Sequence, residues 1–212
     1  LPKLWSTGVI VCVGYASYNG LSYYSPYLVK ILGMNETAAS AISIVRTYLF
    51  AIVCAPIAGA IADKMGSRIK FLQFVFAFGA IACIATIGLS LMNVSIAPFI
   101  AIMLIVAVII LAMRGTYYST TAQIGIPIVL SGAALGLISQ LGNAPDLYIS
   151  TLYGYFLDTH PGKEGYLMIF GTMAIQFIIA CILSIVLYRM NKRDQAVGKK
   201  VVFDIEGGDV ID

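Results

Sequence analysis

Two apolar runs, residues 37–62 and 71–92, stand on either side of a short polar loop, Asp63-Lys64-Met65-Gly66-Ser67-Arg68-Ile69-Lys70. Each run is long enough to cross a bilayer, since a helix rising ~1.5 Å per residue needs about 20 residues for ~30 Å of hydrocarbon. Lipid leaves only helices or closed barrels open to such a chain, because backbone polar groups must pair internally. The residue-by-residue alternation of a barrel strand is absent. Hydrophobic residues make up 60% of the 212 and charged residues 11%, with a mean hydropathy of +0.93. A soluble core of this size does not need so much apolar material, and here it comes in blocks. The expected fold is all-α: a polytopic membrane protein with six transmembrane helices, at about 5–32, 37–62, 68–92, 95–113, 126–157 and 165–188. A polar tail follows over 189–212, basic first and acidic later, expected to be solvated and mobile.

Charge placement sets an expected orientation. Lys3, Lys64, Arg68, Lys70, Arg114, Arg189, Lys192, Arg193, Lys199 and Lys200 all fall on the side that an even span count gives to both termini. Lys30 and Lys163 fall on the other side, and Arg46 lies inside a span. By the excess of Lys and Arg in inner loops, both termini are expected in the cytoplasm. The membrane expected is a plasma (bacterial inner) membrane. The net charge of +3 carries no nucleic-acid signal, because the cations sit in loops. The cysteines, at 12, 54, 83 and 181, lie within spans without metal or Cys-x-x-Cys spacing, and read as small buried residues. The Asn-x-Ser/Thr triplets at Asn35 and Asn93 fall in outer loops, where glycosylation requires a eukaryotic source. The chain opens Leu1-Pro2-Lys3-Leu4-Trp5 almost at the start of a span, which reads as a piece of a longer protein.

The loop at 59–70 has its own physics. Gly59 is expected to let the second helix end close against a neighbour, and Gly66 to permit a sharp turn. Asp63 closes a helix C-terminus, a poor place for an anion, so it should face a cation or another helix's N-terminus. Arg68 and Lys70 suit the lipid surface. The pattern Gly59-x-x-x-Asp63-Lys64-x-Gly66-x-Arg68-x-Lys70 resembles the cytoplasmic loop of the major facilitator superfamily of secondary transporters. In that family the loop joins the second and third helices of each six-helix half, which is its place here. Met113-Arg114-Gly115-Thr116-Tyr117-Tyr118 and Gly142-Asn143-Ala144-Pro145-Asp146 resemble the C-terminal half of sugar-phosphate-permease-like members. The resemblance covers about residues 5–190. It implies one six-helix bundle, with helices one, two, four and five around a central cavity and three and six outside.

Gly59-x-x-x-Asp63-x-x-Gly66 is echoed by Gly154-x-x-x-Asp158-x-x-x-Gly162, with an offset of 95 residues for both the first Gly (59 to 154) and the Asp (63 to 158). The copies fall on opposite sides of the membrane, as an inverted three-plus-three repeat requires. Spans three and six are apolar nearly all round and can face lipid, whereas one, two and five carry polar stripes that must turn inward.

Those stripes supply the candidate site. Tyr15, Tyr18, Asn19, Ser22 and Tyr23 share one face of span one, with Pro26 expected to kink it. Arg46 lies about 24 Å from the inner end of span two by helix rise. An arginine at that depth is by default a functional hypothesis, and its planar fork suits carboxylate or phosphate. In span five, Gly132-x-x-x-Gly136 is expected to allow close helix approach. Gln140, Asn143 and Asp146 follow at helical spacing with Pro145 bending the helix. Arg46 and Asp146 sit at similar depth, so they are expected to pair directly or to share one cavity. Arg114 is assigned to the cytoplasmic interface, with gating or substrate contact as the alternative.

The function expected is half of a secondary active transporter that moves a small polar or anionic organic solute by alternating access, coupled to a proton or ion gradient. Arg46 would attract the substrate, with Tyr15, Asn19, Tyr23, Gln140 and Asn143 shaping the pocket and Asp146 the best titratable group. The motif residues Gly59, Asp63, Lys64, Gly66, Arg68 and Lys70 would form a cytoplasmic gating latch. The alternative is a transporter-like receptor or scaffold that binds without solute flux. An enzyme is not expected, since His-Glu-x-x-His and Gly-x-Ser-x-Gly are absent and the one His, His160, lies in an outer loop. No cofactor or metal is expected. The expected partners are a small-molecule substrate, the lipid bilayer, and a second six-helix bundle, either the other half of the same protein or a second copy of this chain. Nucleic acid is not an expected partner.

Overall fold

The computed structural model describes residues 2–92, 94–123 and 128–196. The expected positions Asn93 and Ile126, and the tail from 197 onward, lie outside the described residues. Helices follow one another almost without pause: α1 (Pro2–Gly20), α2 (Tyr24–Lys30), α3 (Glu36–Ile44), α4 (Phe50–Lys64), α5 (Arg68–Leu91), α6 (Ile96–Thr116), α7 (Ile128–Asn143), α8 (Ile149–Thr159) and α9 (Lys163–Ala196). Among the described residues, four stretches are long and apolar enough to cross a membrane: Glu36–Lys64, Arg68–Leu91, Ile96–Thr121 and Lys163–Arg193. The other two rods, α1–α2 and α7–α8, are broken by 3-10 turns at Leu21–Tyr23 and Ala144–Leu147.

The prolines account for these breaks. Pro26 lacks an N–H and its ring crowds the carbonyl four residues back, at Ser22, inside the 3-10 turn. Pro145 sits in the first turn of the second break. A third irregularity, a π-helical turn at Val45–Leu49, joins α3 to α4. The helix ends follow ordinary chemistry. Asn35 caps α3 by accepting from the Thr37 N–H at 2.8 Å, so the side chain of this glycosylation candidate is already engaged. Gly66 and Gly162 close α4 and α8 with φ of 64° and 85°, left-handed turns that a side chain would strain. Both closing glycines of the echoed motif thus turn the chain in the same way.

The core lies between α1, α5, α6 and α9, with α5 packed most extensively on α9. Tyr24 and Tyr27, both fully buried, stack into Phe99 and Phe170, with centroids 4.6 Å apart for Tyr24–Phe170 and 4.4 Å for Tyr27–Phe99. Their hydroxyls are satisfied by Thr86 (3.3 Å) and Ser90 (2.6 Å) of α5, as an apolar surrounding demands. The opposite face of α5 shows Phe74, Phe78, Ile81 and Ile84, and α9 shows Ile175, Ile178, Ile182 and Ile185. These stripes match the expectation that spans three and six can face lipid. α9 runs to Ala196, beyond the expected end at Tyr188, so the basic stretch begins as helix and not as mobile tail. Arg and Lys are good helix formers and favour a helix C-terminus, and Lys3 Nζ bonds to Asn191 Oδ1 at 3.2 Å.

Two glycine expectations fail. A Cβ at Gly59, Gly132 or Gly136 would meet nothing within 4 Å. Close approach falls elsewhere: Gly142 against Val11 (2.6 Å), Gly8 against Leu141 (2.8 Å), and Gly115 against Ala55 (3.0 Å). Sequence spacing finds small residues but not which face of a helix meets a neighbour.

Candidate functional site

The three breaks converge on one part of α1. Asp146, in the α7–α8 break, receives hydrogen bonds from Asn19 Nδ2 at 2.8 Å and from the Tyr15 hydroxyl at 3.1 Å. Arg46, in the π-turn, donates from Nη1 to the Leu21 carbonyl at 3.0 Å and from Nη2 to Ser43 Oγ at 3.2 Å. The π-turn inserts a residue into the helix ladder, a feature found often at functional sites. Leu21 opens the break in the α1–α2 rod, and its carbonyl also receives the Tyr24 N–H.

Arg46 is only 3% exposed, and its Nε has no hydrogen-bond partner. A buried cation held, among the described residues, by two neutral acceptors, with its Nε unpartnered, is costly and suits an incoming anion. The direct Arg46–Asp146 pair is not formed; each side chain has the other partners just named. The reason lies in the α1–α2 rod, where α1 presents amide and phenol donors to Asp146 and the break presents the Leu21 carbonyl to Arg46.

Arg114 is exposed and lies against the tyrosine face of α1. Its neighbour Met113 packs its sulfur 2.9 Å from a Cβ position at Gly14, and Gly115 abuts Ala55. Ala55 lies eight residues before Asp63, about 12 Å along the helix. On the α6 side, the Ser119 carbonyl that Arg68 reaches lies five residues after Arg114. Its guanidinium carbon lies 4.1 Å from the Tyr18 ring centroid and 5.7 Å from that of Tyr15. Those rings stack on each other at 5.9 Å. Tyr15 thus stands under Arg114 with its face and against Asp146 with its hydroxyl. The sequence carried the signal for Tyr18 on the tyrosine face, but nothing local brings Arg114 there: the register of α6 on α1 is a tertiary fact.

The remaining candidates divide. Tyr23 meets Tyr153 of α8 edge-on at 5.1 Å and 83°. Gln140 and Asn143 are exposed, Asn143 donating to Ser139 Oγ at 3.5 Å. Among the described residues no carboxylate forms an ion pair with Arg46 or Arg114. The arrangement offers two guanidinium forks, a row of phenols and one carboxylate.

The polar loop forms a separate unit. Asp63 accepts from Arg68 Nη2 at 3.1 Å, meeting the need for a cation at that helix end. Arg68 also donates to the Ser119 carbonyl at 3.3 Å, tying the loop to the segment after α6. Ser67 caps α5, and Lys70 lies 5.3 Å over the Tyr188 ring.

No family model matches the chain. It is 29% identical over 187 residues to the inner membrane protein YihN of Escherichia coli (strain K12), covering 88% of this chain and 44% of that protein. It is 27% identical over 183 residues to the inner membrane protein YqcE of the same organism, covering 84% and 43%. To the alpha-ketoglutarate permease, also of that organism, it is 28% identical over 155 residues, covering 68% and 34%. The crystal structure, determined in meso, of the POT family transporter PepTSo superposes with a TM-score of 0.70 at 14% identity, covering 97% of this chain and 43% of that one. The chain shares the fold of part of that structure. Its helical arrangement is that of part of a membrane transporter, and it spans less than half the length of the curated relatives it matches.

Proposed function

We propose that this chain is one six-helix half, the C-terminal one, of a major-facilitator-type secondary transporter for a small organic anion. The six spans are α1–α2, α3–α4, α5, α6, α7–α8 and α9, in an inverted three-plus-three repeat followed by a polar tail, with both ends of the chain in the cytoplasm. The single observation that carries the reading is the meeting of three broken rods where Arg46, Arg114, Tyr15, Asn19 and Asp146 gather. Discontinuous helices at mid-depth are where secondary transporters of many folds hold their solutes. Two arginines against one carboxylate favour an anion, the chemistry shared by sugar phosphates and by the alpha-ketoglutarate in one relative's name.

The mate is a second six-helix bundle, supplied by the same polypeptide or by another copy of the chain. The exposure of Ile44, Tyr48 and Ile52 on the α3–α4 rod, and of Val129, Leu130 and Leu137 on α7, supports such a mate. Gly59, Gly132 and Gly136 stand open on the same two rods. Alternating access is then the rocking of the two bundles about the shared site. Asp63 and its loop partners Lys64, Gly66, Arg68 and Lys70 would latch the loop side.

Asp146 couples transport to an ion or proton gradient, because it is the carboxylate at the break and its bonds to Tyr15 and Asn19 join α7–α8 to α1. In proteoliposomes, Asp146→Asn is expected to abolish gradient-driven accumulation while exchange of labelled for unlabelled solute continues within about threefold. Undiminished accumulation would remove Asp146 from coupling. Solute binding with no flux at all in the wild type would mark the protein as a receptor instead.

A further inference from the structure

α4 packs chiefly on α6, and α5 chiefly on α9 and α6. Gly115 draws the inner part of α6 onto α4 at Ala55. Between α4, α5 and α6 this leaves a groove of about 460 Å3, walled by Ile57, Ile61, Phe74, Phe78, Val108 and Ala112. The groove reaches Met65 and Phe71, which flank the polar loop. At that end stand Lys64 and Arg68, with Lys70 beside them at the α9 edge, 5.3 Å over the Tyr188 ring, against a single acid, Asp63, that Arg68 already engages. Along the membrane it runs into the exposed stripe of Phe74, Phe78, Ile81 and Ile84 on α5, whose opposite face is packed on α9. The groove therefore opens toward hydrocarbon at its side and toward cations at its end.

We propose that this groove is a binding site for one phospholipid of negative headgroup charge, with an acyl chain along α4 and α5 and the headgroup at Lys64, Arg68 and Lys70. The two parts do different work. A tail gains little from an apolar groove that it does not already have in the bilayer, so the groove supplies shape and residence rather than selectivity. The cations supply the selectivity, about fivefold for each Lys or Arg near the surface. The site belongs to the leaflet into which the 63–70 loop opens. It rests on the membrane reading alone and not on any substrate.

The test uses the full-length protein in phosphatidylcholine vesicles, probed with phosphatidylglycerol or phosphatidylcholine carrying a diazirine in the tail. Peptide mass spectrometry locates the crosslinks. Labelling is expected at Ile57, Ile61, Phe74 and Phe78, stronger for phosphatidylglycerol than for phosphatidylcholine by about fivefold or more. Lys64→Gln with Lys70→Gln should bring that ratio close to one without moving the label. Ala112→Phe should remove most labelling by either probe, its melting temperature serving to show that it is folded. Excess unlabelled phosphatidylglycerol should do the same to the unaltered protein. A ratio near one in the wild type, labels spread evenly over α5 and α9, or a folded Ala112→Phe variant labelled as before would each overturn the proposal. So would crosslinks from these residues to a second helical bundle in place of lipid.

Discussion

Arg46→Ala is expected to cut solute uptake by at least ~100-fold while leaving insertion into the membrane intact. Losing a charged, hydrogen-bonded ligand to an anion costs about 3 kcal/mol, which is that factor. Removing the charge should not by itself weaken the fold, and here the argument differs from an ordinary buried side chain. Arg46 is buried at 3% exposure, has only the Leu21 carbonyl and Ser43 hydroxyl as partners, and leaves Nε without one. Without its anion it is a desolvated charge only part repaid. Replacing such a charge by an apolar side chain of similar volume is often neutral or stabilising by 1–4 kcal/mol. Arg46→Met should therefore hold or raise the melting temperature and still fail to transport. Arg46→Lys keeps the charge but loses the planar fork, and should recover only a small part of the uptake. Normal uptake by Arg46→Ala would refute the substrate role. A melting temperature that falls for Arg46→Met as it does for Arg46→Ala would make the residue a strut between the π-turn and the break in the α1–α2 rod.

The parts of this site that could be read from sequence are those that depend on one helix at a time. Tyr15, Tyr18 and Asn19 share a face by their spacing, Asp146 follows a proline that stops a helix, and Arg46 stands out because no charge is expected so far from either end of a long apolar run. The loop read well for the same reason: Gly66 adopts the left-handed turn, and Asp63 finds its cation five residues on, in Arg68. What failed needed the relation of two helices. Gly132 and Gly136 look like an interface and face open space, while Gly142, with no partner glycine four residues away, lies against Val11. Arg114 ends an apolar run, and nothing in that run tells that its guanidinium lies on the Tyr18 ring of α1. Polarity marks which residues must find partners, but the partner is chosen by how rods cross, which no local pattern contains.

The largest stability effect is expected from a methyl group. Gly79→Ala should lower the melting temperature of the detergent-solubilised protein by roughly 2–12 °C, whereas Gly88→Ala, on the same helix, should leave it unchanged or slightly higher. A Cβ at Gly79 would lie 2.6 Å from two ring carbons of Phe177 and 2.9 Å from a third. Phe177 is fully buried and cannot swing aside as a long flexible chain would. The strain must be taken by a shift of α5 against α9, the most extensive contact in the protein. Overpacking of this kind costs about 1–3 kcal/mol, and each kcal/mol moves a domain of this size by roughly 2–4 °C. At Gly88 nothing lies within 4 Å, so the added methyl meets no neighbour and the gain in helix propensity is all that remains. Small residues take the place of the hydrophobic effect between helices in lipid, by letting them come close enough for dispersion to hold them. Phe177→Leu should then restore part of the loss in the Gly79→Ala background while weakening the unaltered protein, a coupling of opposite sign that a simple loss of helix stability would not give. Equal melting temperatures for Gly79→Ala and Gly88→Ala would mean that α5 and α9 do not meet at this register, and the wall on which α1 carries the site would have to be drawn differently.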